Sequence, residues 1–248
     1  MSRKLRIVVE YDGTDFAGWQ QQPGQRTVQA TLEEAIREML GESVFVRAAG
    51  RTDAGVHADA QVASFTLETA GAAIPTIGLL RGLNTLLPPD LAILEVADAP
   101  PDFDARFSAH GKVYRYTVWN HPVRSPRRAR HAWHVRERVD VDAVRRAGAL
   151  LVGEHDFAAF RASDCDRRTT NRIVRRLDVI TDGPELRVEI EATAFLKNMV
   201  RIVVGTLIDI GRGRLPDDTV VRMLSTGDRT IGGMTAPPQG LTLLKVSY

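Results

Sequence analysis

The sequence predicts an α+β fold made of two ferredoxin-like halves with mainly antiparallel sheets. In the first half, strand-like and helix-like segments follow one another in the order β-α-β-β-α-β, and the second half loosely repeats this order. A stretch rich in proline and aspartate, residues 100–105, separates the halves. We therefore expect an N-terminal domain at residues 1–105 and a C-terminal domain at residues 106–248.

The first half begins with a predicted strand, because apolar residues alternate at Leu5, Ile7 and Val9. A polar loop follows. Thr27 is then placed to cap a helix whose apolar residues recur every three or four positions, and Gly41 suits the end of that helix. The remaining predicted elements are strands at residues 44–48 and 62–67, a helix opening at Pro75 and a strand at residues 91–96.

The second half contains the same kinds of element. A run of β-forming residues predicts a strand at 112–119, and apolar residues at helical spacing predict a helix at 141–151. The other predicted elements are strands at 172–180 and 186–194, a helix at 195–210, a helix opening at Pro216 and a closing strand at 241–246.

The composition excludes several classes of protein. With 248 residues, 44% of them hydrophobic and 26% charged, the chain is long and apolar enough to form its own core. Its single cysteine, Cys165, cannot form an internal disulfide, and we expect no export signal and no membrane span. The most apolar stretch, residues 199–210, is interrupted by Arg201 and Asp209. We therefore expect a cytoplasmic protein.

Positive charge is concentrated in one part of the sequence. From Arg106 to Arg138 there are nine lysines and arginines and one acid, Glu137, and aromatic residues are interleaved with them. This combination is typical of nucleic-acid-binding surfaces, although a solvated loop beside a strand would have a similar composition. The candidates for contacts to a nucleic-acid backbone are Arg124, Arg127, Arg128 and Arg130.

Common cofactor and metal motifs are missing from the sequence. It has no G-x-x-x-x-G-K-[ST] loop and no G-x-G-x-x-G segment that opens a helix, so we expect no nucleotide cofactor. It also lacks H-E-x-x-H and C-x-x-C, so we expect no metal. The acidic neighbours of Cys165 disfavour a nucleophilic thiolate.

The remaining candidate for chemistry is the loop G-R-T-D-A-G-V-H at residues 50–57. Two glycines enclose Arg51 and Asp53 between predicted strands. By composition alone the loop is either a tight structural turn or a catalytic loop.

Residues 49–57, A-G-R-T-D-A-G-V-H, resemble the signature loop of the tRNA pseudouridine synthase A family. Further segments resemble family blocks in the same order, among them EYDGTDFAGWQQQ at 10–22, GLNTLLPPD at 82–90, ARFSA at 105–109, YRY at 114–116, DFAAFRA at 156–162, MVR at 199–201 and GLTLLKVSY at 240–248. The resemblance thus covers nearly the whole chain. Where the family often has two histidines before MVR, this chain has Lys197 and Asn198.

The resemblance implies an isomerase that converts uridine to pseudouridine at positions 38, 39 and 40 of the tRNA anticodon stem-loop, without cofactor or metal. It also implies a homodimer that binds the anticodon arm of tRNA. The active site would lie in a cleft between the two halves, with Asp53 as the catalytic aspartate from the first half and Arg201 as its cationic partner from the second. A carboxylate in a dry pocket needs such a cation to stay ionised. The alternative for Arg201 is a helix-end cation or a structural ion pair.

Three more residues match positions that bind the substrate in the family. Arg51 corresponds to an arginine that fills the gap left by an extruded nucleotide, with a phosphate clamp as the alternative. Tyr114 corresponds to a tyrosine that stacks on the uracil, with a core tyrosine as the alternative. Leu243 corresponds to the apolar floor of the pocket, unless the strand register turns Leu244 inward instead.

Two other functions remain open at this point. A non-catalytic RNA-binding module is one, because ferredoxin-like sheets often bind RNA, although no strand carries the aromatic RNP1 pattern. The other is an N-glycosidase that uses the same aspartate to release the base.

Overall fold

The computed structural model describes residues 2–68, 73–165 and 167–248. It confirms an α+β fold with mostly antiparallel strand pairing. The chain forms two compact units, Met1–His110 with Leu243–Tyr248, and Gly111–Thr242. The functional division at residues 105 and 106 stays a prediction. Over the described ranges, every helix is too short or too polar to span a bilayer.

The helices and strands follow the predicted order, with additional short strands. They are β1 (Arg3–Tyr11), α1 (Val28–Leu40), β2 (Arg47–Ala48), β3 (His57–Leu67), α2 (Thr76–Leu86), β4 (Leu91–Asp98), β5 (Gly111–Asn120), β6 (Trp133–Val135), α3 (Val141–Ala149), β7 (Gly153–Asp156), β8 (Asn171–Asp182), β9 (Glu185–Ala192), α4 (Met199–Gly211), α5 (Thr219–Thr226) and β10 (Leu241–Ser247).

The first unit has the β-α-β-β-α-β order expected of a ferredoxin-like half. Strand β1 is central and antiparallel to both β4 and β3, while β2 and the end of β10 lie beside β3. The alternating residues Leu5, Ile7 and Val9 are fully buried, as the period of two predicts. The Thr27 hydroxyl caps α1 by accepting the Ala30 N–H, and Gly41 ends the helix with a φ of 67°.

The strand predicted at residues 44–48 forms only at its end. Val46 is buried, but its N–H donates to the Glu33 carboxylate of α1 (2.9 Å) instead of joining a strand ladder. Strand β3, in contrast, begins at His57, five residues before the predicted start at residue 62. The loop that joins β2 to β3 therefore spans only residues 49–56 and is flanked directly by the two strands.

The second unit places β5, β9, β8 and β7 in one antiparallel series, with β6 parallel to β5. Helices α3 and α4 pack on each other, α3 also contacts β8, and α4 also contacts β5. Helix α4 begins at Met199 rather than at residue 195, because Asn198 adopts a left-handed conformation (φ 61°) that a helix interior cannot accommodate. Strands β6 and β7 were not predicted, since three or four residues are too few to show a period.

Candidate active site

The signature loop lies in the first unit, between β2 and β3. Its turn is closed by a hydrogen bond from the Val56 N–H to the Asp53 carbonyl oxygen (3.2 Å), and Gly55 has a φ of 77°. A positive φ at the third of the four residues is what a type II turn requires. Arg51 is exposed, Thr52 is buried and Asp53 is half-buried. The loop is a tight turn that presents the Asp53 and Arg51 side chains at its surface.

Neighbouring elements fix the backbone of this loop on both sides of Asp53. The Trp19 N–H donates to the Thr52 carbonyl oxygen (3.0 Å), and the Gln61 side chain donates to the Gly50 carbonyl oxygen (2.8 Å). The hydroxyls of Tyr11 and Thr52 are 2.8 Å apart. Burial raises the pKa of Tyr11 to about 12, so its hydroxyl stays protonated at neutral pH. These contacts hold the loop through the carbonyl oxygens of Gly50 and Thr52 and through the buried Thr52 hydroxyl.

Two glycines allow the segment 12–19 to approach the loop closely. A Cβ atom at Gly13 would lie 2.0 Å from the Val56 carbonyl oxygen, and one at Gly18 would lie 2.7 Å from the Thr52 carbonyl oxygen. Gly18 also has a φ of 94°, which side chains other than glycine rarely adopt. The sequence predicts only a polar loop for this segment. Its support of the turn is not evident from the sequence, because the close approach depends on tertiary packing.

Two further side chains in the first unit brace the same segment. The Gly13 N–H donates to Nδ1 of buried His57 (3.0 Å). Arg26 binds the Asp90 carboxylate with both terminal nitrogens (2.7 and 2.8 Å), and its guanidinium lies 4.0 Å from the centre of the Phe16 ring. The hydrogen bond to Arg26 holds the pKa of Asp90 below its usual range. None of these roles was evident from sequence spacing, because the partners are far apart along the chain.

Leu243, in the part of β10 that belongs to the first unit, is fully buried, whereas Leu244 is half-exposed. Leu243 is therefore the inward-facing residue of the two. Its role as the floor of a uracil pocket stays a prediction.

The second unit contains Tyr114 and Arg201. Tyr114 is buried on the same face of β5 as Tyr116, and its ring meets Phe195 edge-on with the ring centres 5.1 Å apart. Tyr116 is fixed by a hydrogen bond from its hydroxyl to the Pro237 carbonyl oxygen (2.7 Å). This environment suits a core tyrosine and a rigid stacking ring equally, so the role of Tyr114 also stays a prediction.

Arg201 lies in the first turn of α4 and is half-buried, while the other residues of this helix are buried. Its Nε donates to the Ala236 carbonyl oxygen (2.7 Å) and its Nη1 to the Asn198 side chain (3.0 Å). The helix dipole disfavours a cation at this end. A helix-end role for Arg201 is therefore not favoured, and the guanidinium is held in one orientation by the segment that contains Ala236.

Arg124, Arg127, Arg128 and Arg130 of the second unit are all exposed. Arg128 lies over the Trp119 ring (4.5 Å to its centre) and donates to the Glu185 carboxylate (3.2 Å). No acid close in sequence had suggested this pairing, because Glu185 is 57 residues away along the chain. Contacts of these arginines with a nucleic-acid backbone stay a prediction.

Comparison with known proteins gives consistent results. The tRNA pseudouridine synthase family model matches residues 7–108 and 147–248, which together exceed half of the chain. A tRNA pseudouridine synthase A of Pelobacter propionicus is 48% identical over 246 residues, covering 99% of this chain and 100% of the relative. One of Citrifermentans bemidjiense is 47% identical over 247 residues, covering 99% of this chain and 98% of the relative. The chain therefore belongs to the tRNA pseudouridine synthase family.

Proposed function

We propose that this protein converts uridine to pseudouridine at positions 38, 39 and 40 of the tRNA anticodon stem-loop, with Asp53 as its catalytic carboxylate. Membership of the family makes it an isomerase that acts on tRNA. The observation that carries the assignment of Asp53 is the rigid signature turn, which is held through its backbone and carries both the half-buried Asp53 and the exposed Arg51.

The reaction explains why a carboxylate is required. The bond from N1 of uracil to C1′ breaks, the base turns over while bound, and C5 bonds to C1′ and gives up its hydrogen. An ionised Asp53 can attack C1′, add to the base or remove the C2′ proton, and each route needs its negative charge. The overall change is an isomerisation without net oxidation, so it needs no redox cofactor, and the family resemblance implies that no other cofactor and no metal take part.

The other predicted residues have complementary roles in this proposal. Arg201 keeps Asp53 ionised when the bound tRNA excludes water. Arg51, exposed on the same turn, fills the gap in the RNA when the uridine is extruded, a step that costs a few kcal/mol of unstacking. Tyr114 stacks on the uracil, and Leu243 forms an apolar surface beneath it.

The protein is further proposed to act as a cytoplasmic homodimer, in which one subunit supplies the pocket while the other holds the body of the tRNA. The family resemblance supports the dimer. A lone cysteine, Cys165, is compatible with the reducing cytoplasm.

The proposal is tested with tRNA that carries tritium at C5 of its uridines. We expect release of tritium to water without release of free uracil, because C5 gives up its hydrogen when it bonds to C1′. An N-glycosidase would release free base, and a non-catalytic RNA-binding module would release neither. Transcripts in which uridines 38, 39 and 40 are replaced by cytidine serve as the control, and undiminished tritium release from them would contradict the proposed positions.

The four exposed arginines give a prediction about salt dependence. If they contact phosphates, each contact releases counterions, and log affinity falls with log salt by about 0.7 to 0.9 per contact. Replacing Arg124, Arg127, Arg128 and Arg130 with alanine should therefore reduce the slope by about two to four and weaken all tRNA substrates alike. Filter binding across a salt series measures the slope.

The matched control for this variant is alanine at two exposed arginines elsewhere, Arg81 and Arg222. The control should leave the slope nearly unchanged. Arg128→Ala should change the slope less than Arg124→Ala or Arg127→Ala does, because Arg128 already contacts the Glu185 carboxylate. An unchanged slope in the fourfold variant would identify the segment as a solvated loop.

A further inference from the structure

Two phenylalanine rings in the first unit are exposed beside arginines. Phe107 is 73% exposed and Phe45 is 60% exposed. The guanidinium carbon of Arg47 lies 5.7 Å from the centre of the Phe45 ring and 6.0 Å from that of Phe107, and the guanidinium carbon of Arg106 lies 5.5 Å from the Phe107 ring. We refer to Phe45, Arg47, Arg106 and Phe107 as the aromatic–arginine patch.

Hydrogen bonds fix the backbone of the loop that carries the exposed Phe107 ring. The Asp104 carboxylate accepts the N–H groups of Arg106 (2.8 Å) and Phe107 (3.0 Å), and it also contacts the Arg47 guanidinium (3.3 Å). The Ala105 N–H donates to the Ser64 hydroxyl of β3 (3.2 Å), and the Tyr248 hydroxyl donates to the Ala105 carbonyl oxygen (2.8 Å). These bonds fix the backbone that carries the ring, so a partner would meet a preorganised aromatic surface.

We propose that the aromatic–arginine patch binds one unpaired base of the RNA substrate by stacking, an inference that rests on the proposed function. Exposed aromatic rings next to guanidinium groups are the usual platform for single-stranded RNA, because a base stacks on the ring while the cations attract its phosphates. The size of the patch also favours this partner. Two phenylalanines offer roughly 150–250 Å² each, whereas a stable protein interface needs about 800 Å² per partner.

The position of the patch shows that the stacked base is not the reacting uridine. In the pairing of β2 with β3, the Arg47 backbone lies opposite Ser64, whereas the signature turn joins β3 at His57. Seven residues of extended strand separate these points, a distance of about 23 Å. The patch would therefore hold a nucleotide well removed from the one at Asp53, and it would contribute to affinity and register rather than to chemistry.

The test compares two substitutions of Phe107 that differ in stacking. Phe107→Leu keeps an apolar side chain but removes the ring, and we expect it to weaken binding of an anticodon-arm RNA about 5- to 100-fold. Phe107→Trp should bind within about threefold of the wild type. Leu94→Ala, which trims an exposed apolar side chain on β4, is the control and should not change affinity.

An RNA with single abasic positions locates the stacked base. At one position, removing the base should weaken the binding of the wild-type protein. On that abasic RNA, Phe107→Leu should cause no further loss of affinity, as expected when the base and the ring are the two partners of one contact. Equal affinities for Phe107→Leu and the wild type would overturn the inference. It would also be overturned by a loss of affinity that is the same at every abasic position, or by a change in oligomeric state without a change in RNA affinity.

The test of RNA stacking by the patch can fail or succeed independently of the test of the proposed function. Leu94→Ala should release tritium from C5-labelled tRNA at the wild-type rate, whereas Phe107→Leu should need a higher RNA concentration to reach half of its maximal rate. If the wild-type protein releases no tritium, the proposed function is wrong, while the binding measurements still decide whether the patch stacks on RNA.

Discussion

Replacing Asp53 with asparagine should lower tritium release from C5-labelled tRNA by more than a hundredfold and change tRNA affinity by less than tenfold. The amide has nearly the size and shape of the carboxylate, but it can neither attack carbon nor accept a proton effectively. The surrounding turn is held by backbone groups of Gly50, Thr52 and Asp53 itself, which the substitution retains. A hundredfold loss corresponds to about 2.7 kcal/mol of transition-state stabilisation, a modest value for a group that is essential in every route.

Asp59→Asn provides a matched control for this experiment. Asp59 is an exposed carboxylate on β3, six residues after Asp53, and its substitution makes the same change of charge. It should retain activity within about twofold, and both variants should unfold within a few degrees of the wild type, since surface changes usually alter stability by less than about 0.5 kcal/mol. If Asp53→Asn retained more than one hundredth of the wild-type rate, the catalytic assignment would be wrong.

The parts of the fold that the sequence predicts well are those with local causes. The buried alternation of Leu5, Ile7 and Val9 and the capping of α1 by Thr27 need only neighbouring residues, and both are present in the structure. Strand β2 is shorter than predicted because the Val46 N–H bonds to Glu33, a contact between distant segments that no local pattern shows. Helix α4 begins four residues later than predicted because Asn198 adopts a left-handed conformation. The cause is local, but the sequence pattern does not reveal it.

The same distinction applies to the candidate site. The signature turn at 50–57 is contiguous, so its likeness to the family and its turn geometry were both accessible from the sequence. The close approach of Gly13 and Gly18 to that turn depends on tertiary packing, as does the pairing of Arg128 with Glu185. The residues of the proposed chemistry are therefore predicted from the sequence, whereas most of the residues that hold them in place are evident only from the tertiary structure.

Arg201→Met should reduce the single-turnover rate about 100- to 1,000-fold with less than a tenfold change in tRNA affinity. In the proposed function, Arg201 opposes the cost of keeping Asp53 ionised in a dry site. An ion pair at about 4 Å with an effective dielectric constant near 20 contributes up to about 4 kcal/mol, which sets the upper limit of the effect. The helix dipole disfavours a cation in the first turn of α4, so the position itself indicates that the charge has a use beyond helix stability.

Two further variants separate charge from packing in this experiment. Arg201→Lys keeps the charge but loses the paired hydrogen bonds to the Ala236 carbonyl oxygen and the Asn198 side chain, so it should recover part of the rate that Arg201→Met loses. Arg222→Met makes the same substitution at an exposed position on α5 and should react at the wild-type rate. A normal single-turnover rate for Arg201→Met would refute the pairing with Asp53. Equal losses for the lysine and methionine variants, together with a lower melting temperature, would instead identify Arg201 as a residue that holds the segment around Ala236 in place.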